Sequence, residues 1–312
     1  MKRKVIIGYE WSESGEDALA LGEVLAEVVD ATPVIATVLH WPRNLMTADE
    51  LREALASETR ERFERVRERF APVKVGTRAL ADPSPAAALG RLGEQEDASL
   101  IVVGSTHRGP VGRVLPGGVA TGLLHGAKCA VAVAPRGYAN REQTALCRFG
   151  VAFDGSAESW SALDTAVGLA ERLRAELEIF TVAEPARYGY ATAWSIFTTG
   201  TLHDYERQER RRLLDLAERR IPAGLRHEAR LLTGDPGRVL AQISGDVDLM
   251  VAGSRSYGPL RRVLLGSTST RLVNDAACPV MVLPRGVGDP LGLSSGDHEP
   301  TAGRRPSLEA SR

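Results

Sequence analysis

Residues 104–137 (GSTHRGPVGRVLPGGVATGLLHGAKCAVAVAPRG) align without a gap to residues 253–286 (GSRSYGPLRRVLLGSTSTRLVNDAACPVMVLPRG), and half of the aligned positions are identical. Both stretches run from Gly-Ser through Gly-Pro and Arg-Val-Leu to Ala-x-Cys-x-Val-x-Val-x-Pro-Arg-Gly. The match continues upstream, where VIIGYEWSESGEDAL (5–19) resembles FGVAFDGSAESWSAL (149–163) and TRALADPSP resembles RLLTGDPGR. A unit repeating after about 140 residues is the size of a domain and far too long for a solenoid. Whatever one copy folds into, the other must fold into as well. The first repeat is placed at 1–140 and the second at 145–286, joined by the polar, turn-prone GYANREQTALC. Residues 287–312 are rich in Gly, Pro and Ser with almost no apolar periodicity, and are read as a disordered tail.

Within each repeat, short β-branched runs alternate with longer amphipathic ones, the pattern of a parallel sheet joined by crossover helices. First strands are expected at 4–8 (KVIIG) and 149–153 (FGVAF). TPVIATV, APVKVGTRA and SLIVVGS follow in the first repeat, and LEIFTV, LRHEARLLT and DLMVAGS in the second. AVAVAP and PVMVLP close them. The fold class is therefore α/β, two tandem five-stranded parallel sheets with helices on both faces.

Lys plus Arg number 39 against 40 Asp plus Glu, so the net charge of -1 gives no electrostatic case for nucleic acid or an anionic membrane. Aromatic residues at 5% are too few for a base-stacking platform. The charged stretches RERFERVRERF (60–70) and ERQERRRLLDLAERR (206–220) interleave their signs at helical spacing and read as solvated helix faces. Cys129, Cys147 and Cys278 form neither a CxxC pair nor an even framework, which fits a reducing compartment and argues against structural zinc. No signal-peptide core and no membrane-length apolar run is present, so a cytoplasmic address is expected.

In an open parallel sheet, ligands sit beyond the carboxyl ends of the strands, where the chain order reverses. Two loops of each repeat end there. After the first strand, Asp154 leaves the sheet, Gly155 permits the turn, and Ser156 is placed to cap the next helix. After the fourth, Gly253 lets the backbone approach a ligand closely, and Gly266 precedes Ser267, Thr268 and Ser269, which open a helical run ending near Ala277. The unpaired N–H groups of that first turn favour phosphate. A purely structural turn is the competing reading. In the first repeat the helix opens with Gly118, Val119 and Ala120, without hydroxyls, and there the structural turn is preferred.

This frame resembles the universal stress protein family, whose nucleotide-binding members carry G-x2-G-x9-G-[ST] after the fourth strand. The resemblance covers most of residues 1–286. The second repeat has Gly253, Ser256 in the second-glycine place, then Gly266 and Ser267 at the family spacing. Ser256 is its departure. The first repeat has Gly104, His107, Gly117 and Gly118, and Glu10 where the second has Asp154. What the resemblance implies is an adenine nucleotide α-hydrolase-like fold holding ATP, with Mg as an optional companion. Asp154 would lie near the sugar, the backbone of Val182 near the base, and Gly253, Gly266, Ser267 and Thr268 along the phosphates. Arg255, Arg261 and Arg262 add charge there or are simply solvated loop residues.

Turnover is not expected. Neither glycine loop is followed by a Walker lysine, and His107 and His125 lack ligand spacing and carboxylate partners. The leading expectation is an ATP-binding tandem protein of the stress response, acting through nucleotide-dependent signalling or an unidentified protein partner. A stress protein that binds no nucleotide and a slow ATPase are the alternatives. The two repeats are expected to form an intramolecular pseudo-dimer through AVAVAP and PVMVLP, as single-copy relatives dimerise, with a further homodimer left open.

Overall fold

The computed structural model describes residues 2–39, 48–105, 114, 117–141, 145–184, 193–254, 266–284 and 291–293. The first repeat contributes β1 (Lys4–Gly8), β2 (Thr32–Leu39), β3 (Gly76–Ala81), β4 (Ala98–Gly104) and β5 (Ala130–Ala134). The second contributes β6 (Arg148–Ala152), β7 (Glu176–Ala183), β8 (His227–Thr233), β9 (Leu249–Gly253) and β10 (Val280–Leu283). Between them run α1 (Glu13–Val28), α2 (Ala48–Phe70), α3 (Pro85–Gln95), α4 (Gly118–Leu124), α5 (Ala157–Leu173), α6 (Ala193–Arg219), α7 (Pro236–Ile243) and α8 (Ser267–Asp275).

All ten strands form one sheet in the order β3-β2-β1-β4-β5-β10-β9-β6-β7-β8. Each half is parallel, and the halves meet where β5 pairs antiparallel with β10, Met281 opposite Ala132. AVAVAP and PVMVLP thus form the seam of a pseudo-dimer within one chain. The outer edges are β3 and β8, where Arg78 donates to Glu96 at 2.6 Å and Arg230 to Glu178 at 3.1 Å. Charge on an edge strand discourages further strand addition.

Alternation along the strands divides the core into two layers. Val5, Ile7, Leu100 and Val102 pack beneath α1, with α2 over the same face, and the matching residues of β6 and β9 pack beneath α5 and α6. Ile6, Ile101 and Val103 face the opposite way, toward α3 and α4, and Met250 and Ala252 toward α7 and α8. Both layers run without interruption from one repeat into the other. Buried on both faces, the central strands read as continuous apolar runs such as AVAVA.

The connection between repeats is clamped from both sides. Asp17 of α1 is buried and accepts the Gly137 and Ala139 N–H groups at 2.8 Å each. Its carboxyl is held above the ordinary carboxylate range by burial, against the pull of those two bonds. Arg141 donates to the Ala277 carbonyl oxygen at 2.7 Å.

Two expectations need correction. The run APVKV does not open the third strand, because Val73 N–H turns back to the Phe70 carbonyl at 2.8 Å and the strand begins at Gly76. Within the stretch read as a disordered tail, Leu291 and Leu293 are buried in the α1/α5 layer, and Arg3 donates to the Gly292 carbonyl at 2.9 Å. Two leucines among glycines give no period to detect, yet they find an apolar slot.

Because the seam is buried and shared, the repeats are expected to unfold together. Met281→Asp places a charge in it and is expected to cost more than about 3 kcal/mol, read as a lower urea midpoint. Two well-separated unfolding transitions in the unmodified protein would contradict a continuous core.

Candidate functional site

Each repeat has a cavity at the carboxyl ends of its first and fourth strands, about 300 Å³ in the second repeat and about 250 Å³ in the first. Because the halves are antiparallel, the two cavities open toward opposite ends of the strands.

In the second repeat, β6 carries the chain through Phe153 to Asp154, whose Oδ1 accepts the Ser156 N–H at 2.9 Å. Ser156 caps α5 by accepting the Ser159 N–H at 3.2 Å. The loop is fixed from the next strand by Thr181, which donates to the Phe153 carbonyl at 3.0 Å. On the other side of the cavity, Gly266 serves as the backbone cap of α8, and Thr270 N–H returns to its carbonyl at 2.8 Å. Ser269 Oγ donates to the Gly253 carbonyl at 3.0 Å. That bond clasps the two ends of the glycine loop together, so the first turn of α8 is held against the end of β9.

The structure brings Asp154, Val182, Gly253, Gly266, Ser267 and Thr268 around this one cavity. Arg255 and Ser256, with Arg261 and Arg262, lie outside the described residues. Gly253 has a reason the sequence did not disclose. A Cβ there would stand 2.7 Å from the Glu158 backbone, and one at Gly104 only 2.1 Å from the Ser14 carbonyl oxygen. The glycine that ends the fourth strand is required by helix packing in both repeats, whatever the ligand.

Sequence reasoning missed Arg210. It lies in the ERQERRR run read as a solvated face, and neighbours there do pair along the helix, as Arg212 does with Glu209 and Arg211 with Asp215. Arg210 instead turns to the cavity and donates to the Asp154 carbonyl at 2.9 Å. Only the direction of the helix face separates it from its neighbours. Asp154 and Glu184 bring carboxylates to the same space.

The first-repeat cavity keeps the frame and changes the chemistry. Glu10 replaces Asp154, and Tyr9 replaces Phe153. Tyr9 OH donates to Glu16 Oε1 at 2.6 Å, and burial together with that bond raises its phenol above the ordinary value. Ala120 stands where Ser269 does, so the clasp is missing. No Lys or Arg is among the described residues lining this cavity. His125 ends α4 with its Nδ1 2.7 Å from the Thr121 carbonyl oxygen, while His107 lies outside the described residues. Among the described residues, no three His, Cys, Asp or Glu side chains cluster as metal ligands. Cys278 is buried, which pushes its thiol up to about 12 and leaves it unreactive.

The sequence model of the universal stress protein family matches residues 1–135 and again 148–284. A universal stress protein of Mycobacterium tuberculosis is 25% identical over 292 residues, covering 90% of this chain and 99% of the relative. A second from the same organism is 33% identical over 193 residues, 60% of this chain and 62% of the relative. Among solved structures, a universal stress protein from Archaeoglobus fulgidus superposes with a TM-score of 0.66 at 20% identity, covering 91% of this chain and 98% of that one.

Gly253→Ala is expected to cost about 2 kcal/mol of stability through overpacking, and Ser269→Ala about 1 kcal/mol through the lost clasp. Urea titrations of both variants check the ranking. A neutral Gly253→Ala would show that the close approach to α5 relaxes freely.

Proposed function

The chain belongs to the universal stress protein family, and from the second repeat we propose that it binds an adenine nucleotide, ATP in the first instance, as a signalling or interaction protein rather than an efficient enzyme. The observation that carries this reading is the Ser269–Gly253 clasp. It fixes the N-terminus of a nine-residue helix, with the hydroxyls of Ser267 and Thr268, against the strand end. Exposed first-turn N–H groups and the helix dipole suit phosphate oxygens. Arg210, held on the Asp154 carbonyl, brings a guanidinium to the same cavity.

Asp154 has Oδ1 committed to Ser156, and in this reading its other oxygen accepts a ribose hydroxyl. Val182, with Phe180 and Leu240, offers an apolar surface for the base. Asp154 and Glu184 are both acidic, so the phosphates' charge is met by Arg210, by the start of α8 and by Mg²⁺ carried on the nucleotide rather than held by a carboxylate cluster. Phosphoryl transfer needs a placed nucleophile as well as a cation at the leaving group, and the reading assigns the nucleophile's role to no described residue. Its output is a nucleotide-dependent change read by a protein partner, in the cytoplasm. No helix among the described residues is long and apolar enough to cross a membrane.

Calorimetric titration of ATP tests the site. Asp154→Ala and Arg210→Ala are each expected to weaken binding by about tenfold or more, the worth of a charged hydrogen bond. Gly266→Val is expected to abolish it. Equal binding by all four proteins would refute the site, and steady ADP release abolished by Arg210→Ala would make the protein an ATPase.

A further inference from the structure

Arg-Val-Leu stands in the glycine loop of both repeats, at 113–115 and 262–264, and the nucleotide reading makes no use of it. The described residue of the two motifs is Val114. Along the chain it lies between two parts of the first cavity's wall, Gly104 with Ser105 before it and Gly117 with Gly118 after it. Val114 does not stay within its own repeat. Its N–H donates to the Ala276 carbonyl oxygen at 2.8 Å, across the seam, and its side chain is fully buried. The apolar layer it joins includes Leu272, Val273, Ala276 and Cys278 of the second repeat. The glycine loop of one repeat is thus anchored in the core of the other.

The anchor is the residue on which α8 ends. At its start, Ser267 and Thr268 line the second cavity and Ser269 clasps Gly253, and Leu272 lines the same cavity from one turn further on. At 1.5 Å per residue, the nine residues of α8 span about 13 Å, so the helix reaches from the candidate phosphate site to the seam. Its exit is fastened by Val114 N–H on the Ala276 carbonyl and by Arg141, which donates to the Ala277 carbonyl at 2.7 Å. Ser244 Oγ accepts the Ala277 N–H at 2.8 Å. The first of these holds comes from the first repeat and the second from the connection between repeats. A short helix moves as a unit, and a close-packed interior passes its displacement to whatever it touches. We propose that α8 couples the two repeats: phosphate held at its first turn reseats its far end, and Val114 carries that shift into the glycine loop of the first repeat. The proposal rests on nucleotide binding in the second repeat and names the element through which the bound state is read. Coupling between sites is reciprocal, so a change at Val114 alters nucleotide affinity in turn.

Methyl NMR spectra of the full chain, titrated with ATP, separate this proposal from the reading beneath it. Leu240 and Leu272 report filling of the second cavity, Val114 reports the seam, and Val34, buried in the same layer on β2, serves as the first-repeat control. ATP is expected to shift the Val114 methyls saturably, with the midpoint seen at Leu240 and Leu272, while Val34 stays in place. In calorimetry, Val114→Ala is expected to weaken ATP binding about fivefold, the lower end of what coupled sites show. Val34→Ala, the same truncation in the same layer, is expected to leave the affinity unchanged. A response of Leu240 and Leu272 without one at Val114, or a Val114→Ala protein that binds ATP as the unmodified chain does, would overturn the coupling and leave the nucleotide reading standing. Equal weakening by Val114→Ala and Val34→Ala would also overturn it, as a general loss of packing. Silence of all three reporters would sink the nucleotide reading and the coupling with it.

Discussion

The antiparallel contact between β5 and β10 is the constraint on which the rest of the molecule depends. Each repeat ends in a fully apolar strand, AVAVA or VMVL. Left exposed, that strand would be an open template for aggregation. Pairing the two strands within one chain removes both hazards at once and fuses two five-stranded sheets into one. It also joins the two helix layers into continuous cores. Because each half is parallel and the seam antiparallel, the carboxyl ends of the strands in the two halves face opposite ways. The two cavities are built on one ten-stranded sheet, at opposite ends of its strands.

Within that body, the duplication serves as an internal control that separates what folding demands from what chemistry adds. The strand-end glycine is demanded by folding, since Gly104 and Gly253 both lie under the first turn of a helix with no room for a Cβ. Gly-Pro and Arg-Val-Leu likewise appear in both repeats. Among the many positions that differ, the ones at the cavity change its chemistry: Ser267, Thr268 and Ser269 against Gly118, Val119 and Ala120, and Asp154 against Glu10. Among the described residues nothing lies within 4 Å of a Cβ added at Gly118, so none of them keeps a serine out of that position. The absence of hydroxyls there is a chemical difference, not a packing one.

The strands and their order follow from the apolar runs and the crossover spacing, and the pairing of AVAVAP with PVMVLP follows from the need to cover two apolar edges. Asp154, Gly253, Gly266, Ser267 and Thr268 were legible as neighbours because the strand-end rule and the motif spacing act along the chain, and Val182 through the family resemblance; all six line one cavity. Arg210 was not legible, because a run of arginines on a helix gives no sign of which one faces inward. Leu291 and Leu293 escaped because two apolar residues without a period look like tail until a slot for them is seen.

The central claim is that one frame, used twice, holds phosphate once. Native mass spectrometry of the full chain titrated with ATP tests it most directly. A single nucleotide mass added per chain, saturating before any second addition, is the predicted result. Two additions of equal affinity, or none at all, would contradict the account.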